Sequence, residues 1–291
     1  MSNFIQILFS SLESGCVYAL ATLGIIIIFR TSRVTNYAQG TIGMFGAFAA
    51  TSFLVSTGAN EFVAAFVGMI TAFLLGTCIN FVIIRPAKNA SPVSKQILTF
   101  GVIMLVLGVA PMLFGSVPLQ FGKFIKTGEF TLLGASLTYN AMFNIVVGIG
   151  LMVILFSFLQ YSKWGLAVRA TATSEQTAEL MGIPTELVNM GAWAIASMLS
   201  TLAAIMVAPA TTVTVGLMDT VQIFALIALV LGGFQTFHGP VIAAYLIAFA
   251  KNLISFYISS TWSLAILYIA ILLTIVILPN GLFGKKVVKK V

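Results

Sequence analysis

The chain has 291 residues, of which 60% are hydrophobic and only 7% charged. Soluble domains carry about 25% charged residues, so a soluble fold of this size cannot hide that much apolar surface and much of its solvent must be lipid. The net charge of +7 comes without arginine and lysine stripes interleaved with aromatics. This excludes a nucleic-acid binder and points to basic loops on one side of a membrane.

At about 20 residues per crossing, the length allows one membrane domain of roughly eight to ten helices. Apolar runs fall at 5–29, 37–57, 61–85, 96–115, 141–160, 188–208, 220–235, 240–258 and 262–279. The predicted class is an all-α polytopic membrane protein of eight or nine transmembrane helices with broken or Gly-rich segments. The count is open because Gly232, Gly233, Gly239 and Pro240 interrupt 220–258. The N-terminal residues lack a basic region and a cleavage site, so the first run reads as a retained span.

With nine crossings, one side holds Arg30, Arg33, Arg85, Lys88, Lys95, Lys163, Arg169, Lys285, Lys286, Lys289 and Lys290. The other holds Lys123 and Lys126. The basic side is therefore expected in the cytoplasm, together with the C-terminus, and the N-terminus outside. Lys251 is left inside a span, where it must snorkel or line a polar interior.

Several segments break the rules of a span in lipid, which offers no partner to a free backbone group. Glu13 lies in the first run, with Tyr18 and Thr22 beyond it. It is either an intramembrane site or a side chain reaching the headgroups. Residues 35–47 hold Asn36, Gln39, Gly40, Gly43 and Gly46 at the start of the second span. They read either as a broken helix facing a solute path or as a small-residue packing stripe with Asn36 as a cap. Residues 231–240, with Gly232 and Gly233, read as a hinge on that path or as a tight turn. Asn80, Asp219 and Gln222 are weaker polar candidates. His238, the one histidine, has no neighbouring ligand, so neither a metal nor another cofactor is expected. Cys16 and Cys78 lie in apolar runs without metal or redox spacing and read as small packing residues.

The cytoplasmic connection 161–187 reads as a docking element or an interfacial linker. Ser174 suits an N-cap, Glu175 a first turn and Gly182 a C′ position, and Pro184 stops the helix, which predicts two turns at about 175–181. Ala178 and Met181 are spaced to share a face. No nucleotide-binding, zinc-protease or nucleophile-elbow motif occurs, so the chain is not expected to be an enzyme.

Three groups of residues carry a family resemblance. The first is Gly15-x-x-Tyr18-Ala19-Leu20-x-x-Leu23-Gly24 followed by Asn36-Tyr37-Ala38-Gln39-Gly40. The second is Gly165-Leu166-Ala167-Val168-Arg169-Ala170 with Ala178 and Met181-Gly182-Ile183. The third is Leu231-Gly232-Gly233 through Gly239-Pro240, with the ending Pro279-Asn280-Gly281-Leu282-Phe283-Gly284. In order and nearly end to end, these resemble the branched-chain amino-acid ABC transporter permease family, with Tyr37, Gln235 and Ala243 departing from its usual residues.

The resemblance implies a single transmembrane permease domain over 1–291 in a bacterial inner membrane, working in an ATP-driven importer. Its solutes would be amino acids, branched-chain ones foremost, or small polar molecules such as urea and amides. Implied partners are ATP-binding subunits, an extracytoplasmic solute-binding protein and a second permease, a related chain in preference to a copy of this one. The translocation path would be lined by Asn36, Gln39, Gly40, Gly43, Gly232 and Gly233. Gly165, Arg169, Glu175, Ala178 and Gly182 would form a coupling loop on the ATPase. The competing reading is a stand-alone secondary carrier or channel, although only seven acidic residues are present to couple ions.

Overall fold

The computed structural model describes residues 2–278 and 281–283. Of the expected C-terminal features, Pro279, Asn280, Gly284 and the four terminal lysines lie outside the described residues. Seven helices are long and apolar enough to cross a membrane. They are α1 (Ser2–Ser32), α2 (Gln39–Thr57), α3 (Glu61–Ile79, prolonged by a π-helical turn Asn80–Ile84), α4 (Pro92–Phe114), α5 (Tyr139–Tyr161), α8 (Thr185–Val207) and α10 (His238–Tyr257). Two shorter apolar helices, α9 (Asp219–Gly232) and α11 (Ser263–Ile277), complete the set at the expected positions.

Further elements lie in the connections. A hairpin of β1 (Glu129–Leu132) and β2 (Ala135–Thr138) sits between α4 and α5, and α6 (Lys163–Thr173) and α7 (Glu175–Leu180) lie between α5 and α8. The hairpin turns on Leu133 and Gly134, both at positive φ. That is a mirror-image two-residue turn, without the Asn-Gly pair that usually signals it.

α1, α2 and α8 form the buried centre, while α4 and α5 are mostly exposed around it. α1 packs on α5, α8, α9 and α10, and α8 packs on α2 and α3. Glycine permits the closest approaches, because helices in lipid associate by packing and not by exclusion of water. A methyl group on Gly43 would lie 2.6 Å from the Ser200 carbonyl oxygen, and one on Gly76 would lie 2.8 Å from that of Trp193. Cys16 is buried as expected, but Cys78 is exposed on the outer surface, so it is not a packing residue.

Gly43→Val should therefore destabilise the protein by about 1–3 kcal/mol or more, by overpacking the α2–α8 contact. Gly101→Ala, where a methyl group meets nothing within 4 Å, should be neutral or stabilising by up to about 1 kcal/mol. Thermal unfolding in detergent separates the two.

Candidate functional site: a mid-depth cleft and a capped helix at the basic end

α1 stops at Arg33, whose backbone takes a left-handed φ of 56°. The chain then turns back into the protein, and Val34, Thr35 and Asn36 run buried and non-helical. Non-helical backbone at membrane depth is tolerated where protein encloses it. Asn36 shapes the turn: its Oδ1 accepts from Ala38 N at 3.0 Å, and its Nδ2 donates to Gln39 Oε1 at 3.0 Å. Gln39 Nε2 donates to the Ala196 carbonyl at 2.6 Å, and Ser200 Oγ donates to the Gln39 carbonyl at 2.7 Å. Ala196 is the midpoint of α8, so α2 begins at mid-height in the helical bundle.

α9 begins at the same level. Gly40 N donates to Gln222 Oε1 at 2.6 Å. α9 has 14 residues, about 21 Å at 1.5 Å per residue, which cannot cross a hydrocarbon core of about 30 Å. Its far end lies beside the basic end of α1, where Arg30 Nη1 donates to the Gln235 carbonyl at 2.6 Å and Phe29 meets Phe234 at 4.6 Å. The first turns of α2 and α9 thus meet in the middle of the bundle, and each is approached by non-helical chain.

A cleft of about 360 Å³ opens at this meeting point. Gly40, Thr41 and Met44 of α2 form one wall, Met218, Asp219 and Gln222 another, and Ile103 and Leu107 of α4 a third, with Tyr37 at one end. Ile103 is the midpoint of α4, which again puts the cleft at mid-height. Asp219 and Thr220 are exposed here, as are Val215 and Gly216 on the strand of chain leading to them.

Of the six residues expected to line a path, the structure brings Asn36, Gln39, Gly40 and Gly43 together and leaves Gly232 and Gly233 elsewhere. Gly40 borders the cleft. Asn36 and Gln39 are fully buried and brace the turn behind it, and Gly43 packs on Ser200. Gly232 and Gly233 close the opposite end of α9, where a methyl on Gly232 would overlap the Gly239–Pro240 backbone. That segment is a tight turn. Tyr37, Thr41 and Met44, which belong to the same segment but not to those six, also border the cleft, as do the weaker candidates Asp219 and Gln222. Short helices opening on a polar residue were the available signal.

The other intramembrane polar groups are mostly paired inside the protein. Asn144 Nδ2 donates to Glu13 Oε1 at 3.1 Å. Lys251 Nζ donates to Tyr18 OH at 3.3 Å and lies 5.7 Å from the centre of the Phe224 ring. His238 stacks on Phe156 at 4.7 Å.

At the basic end, α6 is capped by Ser162, whose Oγ accepts from Gly165 N at 2.9 Å. Gly165 is needed because a Cβ there would overlap the Leu159 backbone. Arg169 donates twice to Gln160, to Oε1 at 2.9 Å and to the carbonyl at 3.2 Å, and so pins α6 to the end of α5. α7 starts at the expected cap, with Ser174 Oγ accepting from Thr177 N at 3.2 Å, and is followed by Gly182 at φ 80°. Ala178 and Met181 do not share a face. Ala178 is 3% exposed, whereas Leu180 and Met181 are 87% and 78% exposed, because the helix ends at Leu180 and Met181 turns outward. Glu175 lies on the exposed first turn.

Residues 7–276 match the family described as branched-chain amino acid transport system / permease component. The high-affinity branched-chain amino acid transport system permease protein LivH of Escherichia coli (strain K12) is 26% identical, over 99% of this chain and 98% of that protein. The probable branched-chain amino acid transport permease protein LivH of Methanocaldococcus jannaschii is 25% identical, over 94% of this chain and 91% of its own. Among solved structures, PsaBC from Streptococcus pneumoniae in complex with Fab aligns over 94% of this chain and 91% of its own, at TM-score 0.48 and 13% identity.

Gln39→Leu should cost about 1–3 kcal/mol, because it leaves buried polar groups of Asn36 unpaired. Thr41→Ala on the cleft wall should stay within about 0.5 kcal/mol. Denaturation in detergent reads both.

Proposed function

Because this chain belongs to the family of branched-chain amino acid transport permease components, we propose that it forms one half of the membrane pathway of an ATP-driven amino-acid importer. It is a multi-pass membrane permease, and ATP hydrolysis is assigned to separate subunits. The second half of the pathway is a related permease, and a solute-binding protein delivers amino acids, branched-chain ones foremost, from outside. The membrane is the bacterial inner membrane, with the N-terminus outside and the basic end in the cytoplasm.

One observation carries this reading. The mid-height cleft leaves the Asp219 carboxylate and Thr220 exposed on the outer surface of a single chain. Lipid accepts neither a carboxylate nor unpaired backbone at that depth, so such groups belong against a water-filled route or a partner. A second permease laid over the cleft supplies both. Gly40, Thr41, Asp219 and Gln222 then border the route, while Asn36 and Gln39 hold its wall in place.

The coupling element is the segment 161–187. Gly165 and Arg169 fix α6 to α5, Ser174 and Gly182 delimit α7, and Leu180 and Met181 present an apolar tip to the ATPase beside the Glu175 carboxylate. Ala178 acts from behind, as the small residue that seats α7 on its own protein.

Two outcomes test this reading. Purification in mild detergent should recover an ATP-binding subunit and a second polytopic chain, and joint replacement of Leu180 and Met181 by glutamate should remove the ATPase while the permease remains in the membrane. A stand-alone carrier would instead move solute in vesicles without nucleotide. Asp219→Leu should slow ATP-driven uptake by about tenfold, equivalent to about 1.4 kcal/mol, with unchanged yield of the complex. Undiminished uptake would remove Asp219 from the route.

A further inference from the structure

A pocket of about 470 Å³ lies at the basic end, between the last turn of α5, α6 and the first turn of α10. Gln160, Tyr161, Arg169 and His238 supply its polar groups, and Phe156 and Phe237 give it apolar walls. Among the described residues no carboxylate lines it. The Arg30 guanidinium adds to the positive charge, 5.3 Å from the centre of the Phe237 ring. The polar groups can be reached from outside, since Gln160, Tyr161 and His238 are all exposed.

Hydrogen-bond donors are left over here. Gln160 takes up only two of the five N–H groups of Arg169, one from Nη1 and one from Nη2. The His238 ring stacks on Phe156 and makes no hydrogen bond among the described residues. Unused donors, charge of one sign and no acid nearby fit an anion, and a guanidinium suits phosphate oxygens in particular.

The surface that continues from the pocket decides which anion. Along α10, His238 is followed by Ile242 and Leu246 at i+4 and i+8, on one face and exposed. Along α5, Phe156 is preceded by Val153 and Ile149 at i−3 and i−7, again on one face and exposed. Both helices pack on α1. Cys16 of α1 reaches each of them, with Sγ 3.8 Å from the Ile145 carbonyl and 2.9 Å from Tyr245 OH. α1 is thus the floor of a furrow with apolar edges, which leads from the pocket toward the membrane interior. A soluble anion gains nothing from that furrow, whereas an acyl chain fills it.

We propose that the pocket binds the phosphate of an anionic phospholipid, with the acyl chains laid along the furrow between α5 and α10. The phosphate oxygens accept from the free N–H groups of Arg169 and from an imidazole N–H of His238. Tyr161 stands at headgroup level, as tyrosines do at membrane interfaces. Basic pockets between spans recognise anionic headgroups by this combination of charge and depth. The lipid joins α6, through Arg169, to α10, through His238, and so braces α6 against the bundle. The site is distinct from the exposed tip of α7 and does not rest on the importer reading.

The test titrates the purified, delipidated full chain in detergent with phosphatidylglycerol and, separately, with phosphatidylcholine of the same chains. Native mass spectrometry reads binding, and thermal unfolding reads the bracing. Phosphatidylglycerol should bind about tenfold more tightly or better, the usual worth of a hydrogen bond between charged groups, and should raise Tm more than phosphatidylcholine. Arg169→Gln and Ser157→Glu should each abolish the preference. Ser157 is an exposed residue of the pocket lining, so Ser157→Glu sets a carboxylate against the phosphate and keeps the test decisive if Arg169→Gln loosens α6. Equal binding of the two lipids overturns the proposal, as does a preference that survives both variants.

Two further measurements separate other occupants. Glycerol 3-phosphate, which carries the anion without chains, should not displace the lipid at equal concentration. Displacement at parity assigns the pocket to a soluble anion and overturns the lipid reading. In the complex with an ATP-binding subunit the lipid should stay bound. Its release on assembly assigns this face to the subunit and likewise overturns the proposal.

Discussion

One side-chain amide holds the middle of this protein together. Gln39 donates to the carbonyl at the midpoint of α8, accepts from Asn36, and through its own carbonyl receives the Ser200 hydroxyl. An interrupted helix in lipid must find a partner for each freed backbone group. Gln39, Asn36 and Gln222 do this for the point where α2 starts. Because those groups are satisfied internally, the chain can place a helix start halfway through the bundle.

That constraint explains the distribution of small residues. A methyl group on Gly24 would overlap the Gln39 amide, and one on Gly43 would meet the Ser200 backbone. The glycines of α1 and α2 are thus the space in which the amide network fits, which joins the two sequence readings of this region: the stripe packs the helices, and the packing is what holds the cleft wall. Toward the periphery the logic reverses. Gly101, Gly108 and Gly150 face open space, and the outer helices present large apolar side chains such as Met104, Leu113 and Ile154, as surfaces wetted by hydrocarbon should.

Much of the fold was legible in the chain. All nine apolar runs became helices, because apolar length is a direct readout of lipid thickness. α7 was legible because Ser174 and Gly182 are local signals that act within one turn. The count of spans was harder, since α9 falls short of a full crossing while its hydrophobicity resembles that of one. The cleft was only half visible: Asn36, Gln39 and Gly40 are neighbours in sequence, but their partner Gln222 is 182 residues from Gly40, and no local pattern announces such a pairing. The hairpin at Leu133-Gly134 went unseen because its turn lacks the usual residues. α6 was missed although Ser162 offered a cap.

The π-helical turn at Asn80–Ile84 has a consequence for rotational phase. An α-helix advances about 100° per residue, so a widened turn accommodates one additional residue and offsets everything beyond it by roughly that angle. Upstream, α3 keeps Gly68 and Gly76 toward its neighbours; downstream, Arg85 is brought round to reach Glu186. Shortening the helix by one residue at this point would preserve the upper seam and swing the guanidinium away from its carboxylate. The widened turn works as a phase adjuster between two faces that a uniform helix could not serve at once.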